Sequence, residues 1–143
     1  MEEYDDLDEL PPRPRKEIPA ADRELLHLAA LALDAEHVED VDGEEWLNLH
    51  FADGSTVFHW NPLMHYDDTF VLAVRLSARE GGIAIMLNSR FDQTGFAQVH
   101  TDERHKSGHA YMGDDPLQGA ARAVVLAAAE IGKKLRGAGG AVA

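Results

Sequence analysis

The chain has no cysteine, so neither a disulfide framework nor a cysteine-ligated zinc site is available to it. It is short of positive charge, with 13 Lys and Arg against 26 Asp and Glu. A nucleic-acid binder gains affinity by releasing counterions from phosphate and needs the opposite balance, so direct nucleic-acid binding is not expected. Long apolar runs are missing too. The longest, Ala123–Ala129, is far shorter than the roughly 20 residues that span a bilayer, and no membrane segment is expected. The N-terminus is acidic and lacks an apolar run, so it does not read as a secretory signal. No phosphate-cradling loop or dinucleotide fingerprint occurs, and Ser55, Ser77, Ser89 and Ser107 have no nucleophile-elbow context. No cofactor and no catalytic residue are expected. A length of 143 residues with 45% hydrophobic content suits one soluble, cytoplasmic domain with one core.

What is present is acid, and it is unevenly placed. The first 45 residues hold 16 acidic and 4 basic residues, a formal −12, whereas the other 98 carry −1. Two clusters account for this. One is a leader (Glu2, Glu3, Asp5, Asp6, Asp8, Glu9). The other comprises Asp34, Glu36, Glu39, Asp40, Asp42, Glu44 and Glu45. Such a field favours a basic partner or serves solubility. Residues 1–19 read as a flexible arm, because charge dominates and Pro11, Pro12, Pro14 and Pro19 interrupt any element. Residues 20–137 read as the folded domain and 138–143 as a frayed tail.

Helical spacing of Leu25, Leu28, Ala29 and Ala32, with Asp22 as cap, predicts a helix to about Asp34. Residues 46–60 alternate around Asp53-Gly54, a two-residue hairpin turn signal. That turn sets Phe51 against Thr56, Leu49 against Phe58 and Leu47 against Trp60 on one apolar face. The other face then carries Trp46, Asn48, His50, Ser55, Val57 and His59. A second helix is expected over 69–79, capped by Asp67 or Asp68, with Phe70, Val71, Val74 and Ala78 inward and Gly81-Gly82 as its stop. Strands are expected at 83–87 and 96–100, and a loop over 101–114 with room for a short strand near Ala110–Met112. Asp115-Pro116 opens the last helix, whose buried stripe is Leu117, Ala120, Ala121, Val124, Ala128, Ile131 and Leu135, with Gly137 at its end. The fold class is therefore α+β, a mostly antiparallel four-stranded sheet covered by three helices in the order α-β-β-α-β-β-α.

Two blocks carry a resemblance. One is Trp60-Asn61-Pro62-Leu63, followed by Asp67-Asp68 and a helix with Leu72, Ala73, Val74 and Leu76. The other is Ala120-Ala121-Arg122-Ala123-Val124-Val125, continued by Ala127-Ala128-Ala129-Glu130-Ile131-Gly132. Over roughly residues 22–136 the chain resembles the phage ABA-sandwich domain family, small proteins encoded in bacteriophages and prophages. The resemblance implies such an origin and helices on both faces of the sheet. It implies no enzymatic activity.

Eight histidines in a cysteine-free chain raise metal binding. His50 and His59 fall diagonally on one hairpin face, with His65 or Asp67 as a third ligand; the simpler reading is a polar sheet face. His100, His105 and His109, with Asp102 and Glu103, match no ligand spacing and read as a solvated loop. Arg122 is placed to pair with Asp67 or Asp68. The leading functional expectation is a non-enzymatic phage accessory protein. It would bind a protein with a basic surface through Asp34, Glu36, Glu39, Asp40, Asp42, Glu44 and Glu45, in the manner of an acidic inhibitor that presents carboxylates where its target expects phosphates. A metal-binding protein or metal-dependent hydrolase using His50 and His59, and a virion structural or assembly protein that self-associates, are the alternatives.

Overall fold

A computed structural model describes residues 17–88, 95–102 and 105–142, with side chains left out of account at 102, 105, 106 and 138–142. The acidic leader, the basic residues Arg13, Arg15 and Lys16, Ser89 and Glu103 lie outside the described residues. The order is α1 (Ala20–Ala32), β1 (His37–Asp40), β2 (Leu47–His50), β3 (Thr56–Trp60), α2 (Tyr66–Glu80), β4 (Ala84–Asn88), β5 (Phe96–Asp102), β6 (His105–Tyr111) and α3 (Pro116–Val142). Among the described residues there are three helices and two antiparallel sheets, β1-β2-β3 and β4-β5-β6. The α+β class with three helices therefore stands. The single four-stranded sheet does not, because each expected strand pair gains a third strand. His37–Asp40 lies in the acidic cluster, where charge hid the strand. His105–Tyr111 replaces most of the expected loop, where Gly108 broke the alternation.

The long helix α3 is the centre of the molecule. It packs α1 on one side and β5 and β6 on another. Ala121, Ala123, Val124, Val125, Ala127, Ala128, Ala129 and Ile131 are all buried. Small residues let backbones meet. A Cβ on Gly108 of β6 would collide with the Ala123 carbonyl oxygen, and one on Gly132 with the Leu28 carbonyl oxygen of α1. A Cβ on Gly119 would come within 2.6 Å of the Met112 Cα. Asp115 caps the helix as expected, its carboxylate accepting the Gln118 N–H at 3.2 Å. The helix runs through Gly137 to Val142 and does not stop where glycine suggested. Leu117, expected inside, is 64% exposed.

Helix α1 starts at Ala20 without a side-chain cap. Asp22 lies in its first turn and pairs with Arg122 at 3.1 Å, tying α1 to α3. Arg122 therefore does not bridge to Asp67 or Asp68. Ile18, inside the expected arm, is buried in the core, so the packed chain begins earlier than residue 20.

The hairpin shows a compensated shift. Leu47 does face Trp60, but Leu49 faces Val57 and His50 faces Thr56. The turn is one residue longer than the two-residue form: Phe51 N–H donates to the Ser55 carbonyl, and Gly54 takes a positive φ of 87°. Asp53 accepts the Ser55 N–H at 2.9 Å and fixes that turn. An extra residue on β3 restores the register, and His59 takes it in left-handed geometry at φ 57°. Thr56 thus moves to the polar face, and Phe58, expected inside, is 67% exposed.

Trp60 leads into a buried turn. Asn61 is 2% exposed, and its amide donates to the Glu45 carbonyl at 2.6 Å while its Oδ1 accepts the Leu63 N–H at 3.0 Å. Its backbone N–H donates to Asp68 at 3.0 Å. Helix α2 then begins at Tyr66 with neither aspartate at the cap position. It ends at Gly81, left-handed at φ 74°. Its buried residues are Leu72 and Leu76, whereas Phe70 (71% exposed), Val71 and Val74 face outward. The stripe expected to be internal is real as a periodicity and points to solvent.

Replacing Gly132 with alanine is expected to force α1 off α3 and cost about 1–3 kcal/mol, the usual range for overpacking. Denaturant unfolding measures this. An unchanged midpoint with unchanged slope would show that the two helices are not in backbone contact.

Candidate functional site

The acidic segment folds into a lobe built on the edge strand β1. α1 ends in a left-handed turn at Asp34, φ 63°, where the Ala35 N–H reaches the Ala30 carbonyl and the Asp34 N–H the Leu31 carbonyl. Strand β1 then lies beside β2, with Glu39 opposite Asn48 and His37 opposite His50. Charge on an edge strand also discourages pairing with other chains, so these carboxylates have a structural use besides any functional one.

The seven acidic residues divide by what they touch. Asp34 pairs with Arg79 of α2 at 2.9 Å. Asp40 pairs with His27 at 2.9 Å and Arg23 at 3.4 Å, both on α1. These two carboxylates therefore anchor the lobe to the helices. Glu39 accepts from the Asn48 amide at 3.0 Å and lies 3.2 Å from His50 Nε2. Glu44 is engaged within the fold. Glu36, Asp42 and Glu45 make no ion pair among the described residues, and Glu36 and Asp42 are exposed. The Glu17 side chain accepts the Gly43 N–H at 3.3 Å, closing the β1–β2 turn. The result is a fastened backbone with an outward row of carboxylates, of which about half are held by cations or amides.

The hydrogen bond from Asn48, and then that from His50, holds the Glu39 carboxyl below the usual carboxylate range. The same bonds are therefore in force above that range and are lost as pH falls through the lowered value.

Among the described residues the histidines form no common centre. His50 lies between Glu39 and Thr56, with His37 stacked on it at 5.7 Å. His59, turned by the bulge, rests on Trp46 at 4.5 Å and donates its backbone N–H to Asn48 Oδ1 at 3.1 Å. His65 sits before α2, 3.2 Å from the His59 carbonyl and 3.4 Å from Asp68. Among the described residues no group of three His, Asp or Glu side chains is arranged to hold a metal ion. His109 lies on β6, where a loop was expected, and His100 on β5, inside the strand expected at 96–100; the two are joined through Gln98 at 3.2 Å each. His109 also stacks on Phe96 at 5.6 Å and meets Tyr111 edge-on at 5.1 Å. The side chains of His105 and Asp102 and all of Glu103 fall outside the description.

One surface escaped the sequence reading. Tyr66, Phe70 and Ala73 of α2, Ile85 and Leu87 of β4, and Leu117 line an apolar groove of about 210 Å³. Ile85 and Leu87 share the sheet face of Val99 and Ala97, but α3 packs on β5 and β6 and leaves the β4 edge open. Among the described residues no helix is long and apolar enough to cross a membrane.

No family model, curated protein or solved structure matches the chain.

Followed by NMR, the Glu39 carboxyl is expected to titrate below an ordinary glutamate and to move back toward it in Asn48→Ala. A titration identical in both proteins would remove the Asn48 bond as the cause.

Proposed function

We propose that this chain is a non-enzymatic accessory protein of phage or prophage type, acting in the host cytoplasm by binding the basic surface of another protein. The observation that carries the reading is the fastened acidic lobe. Asp34 and Asp40 fix its backbone through Arg79, Arg23 and His27, while Glu36, Asp42 and Glu45 keep their carboxylates uncommitted. Charges held beside an ordered, fastened strand cost little further entropy when a partner docks, and they steer a basic surface by long-range attraction. Carboxylates that flank the edge strand β1, Glu36 before it and Asp42 and Glu45 after it, offer negative charge where a nucleic-acid-binding protein expects phosphates. The antiparallel sheets with packed helices, and the Asn61-Pro62-Leu63 turn leading into α2, suit the sandwich architecture that the family resemblance implies.

The structure refines which residues to alter. Reversing Asp34 or Asp40 disturbs the anchors, so the informative set is Glu36→Lys, Asp42→Lys and Glu45→Lys together. The triple variant is expected to keep its circular dichroism and to lose capture of the basic partner from host lysate. The partner retained by the wild type is expected to be released by added duplex DNA. Undiminished capture by the triple variant, unaffected by DNA, would overturn the acidic-surface reading.

A further inference from the structure

Helix α2 carries two apolar faces. Leu72 and Leu76 fill the core, yet Phe70, Val71 and Val74 are 71%, 53% and 53% exposed. The outward residues follow the helical repeat Asp67, Phe70, Val71, Val74, Arg75, Ala78, the spacing of a helix seam. That seam is a ridge between two clefts. Tyr66 and Phe70 line the groove of about 210 Å³ shared with Ile85, Leu87 and Leu117. Val71 and Arg75 line a cleft of about 360 Å³ shared with Phe51, Val57 and Trp60.

The charges on this seam are arranged for self-association. Asp67 and Arg75 are both exposed, and neither makes an ion pair among the described residues. They lie four residues on either side of Val71. When two copies of α2 cross antiparallel about a two-fold axis at Val71, Asp67 of each copy falls opposite Arg75 of the other. Val71 then meets Val71 of the second copy, with Phe70 and Val74 flanking the contact. A parallel arrangement would instead set Asp67 against Asp67. A ridge flanked by grooves and bearing opposite charges symmetrically about its middle is complementary to itself, as a two-fold interface requires. The neighbouring edge strand β4, with Ile85, Met86 and Leu87 each more than 40% exposed and no charged residue between Ala84 and Asn88, extends the apolar surface. It contrasts with the acidic edge strand β1, which is defended by charge.

We infer that the chain forms a homodimer through antiparallel packing of α2, with Phe70, Val71 and Val74 at the centre and reciprocal Asp67–Arg75 ion pairs at the flanks. This interface rests on residues other than those of the acidic lobe, so either can fail without the other.

Sedimentation equilibrium of the full chain tests it. The wild type is expected to sediment at twice 15.7 kDa. Val71→Asp, at an exposed position, is expected to yield a folded monomer. Asp67→Arg alone and Arg75→Asp alone are each expected to weaken association about ten-fold or more. The double exchange Asp67→Arg with Arg75→Asp should restore it, because only an antiparallel self-pairing exchanges both contacts at once. A monomeric wild type at all concentrations would overturn the inference and leave the seam to a different protein. A dimer that survives Val71→Asp, or a double exchange no better than the single ones, would overturn it equally.

Discussion

The structure depends on how closely two neighbours approach α3. At Gly108 and Gly132 a single methyl group would strike a backbone carbonyl of the neighbouring element. Alanines between those points keep the separation small along the helix. Close approach multiplies weak dispersion contacts and leaves no gap for water. It also has a cost in coverage. One helix of small residues shields β5 and β6, and β4 is left at the rim. The exposed edge and the apolar groove beside α2 follow from the same choice that makes the centre dense.

The second organising element is the Asn61 turn. A buried amide demands partners, since an unmet one costs a large part of its hydration energy. Asn61 meets that demand with the Glu45 carbonyl and the Leu63 N–H, and its backbone reaches Asp68. Those bonds join the β1–β2 turn, the end of β3 and the start of α2. They set the angle at which α2 leaves the sheet, and hence which of its two apolar faces turns inward. Leu72 and Leu76 face the core, and the Phe70 seam is left outside.

This explains what the sequence disclosed and what it did not. The presence of α1 and α3, the Asp115 cap, the stop at Gly81 and the Leu47–Trp60 pairing were legible, because each rests on local periodicity or one strong conformational preference, whereas the start of α1 and the end of α3 were not. The bulge at His59 was not. It compensates a turn lengthened by the Asp53–Ser55 bond, and both departures cancel before Trp60, so the sequence pattern hid them. Strand β1 was masked by its charges and β6 by Gly108, which is there for α3 and not for the sheet. The inner face of α2 was misassigned because periodicity marks an apolar stripe without saying what covers it. In the acidic segment the seven residues were legible as a cluster. Their division into anchors and uncommitted carboxylates was not, since Arg79, Arg23 and His27 come from elsewhere in the chain.

Function, on this account, lies on surfaces. The lobe is fastened from within by ion pairs to α1 and α2, and it presents its remaining carboxylates outward. Its attraction for a partner is then electrostatic and must fade with ionic strength. The most direct measurement is calorimetric titration of the purified partner across a series of salt concentrations. The account predicts a dissociation constant that rises steeply with salt for the wild type and for an α2-seam variant alike. An affinity that stays flat across the series would contradict it.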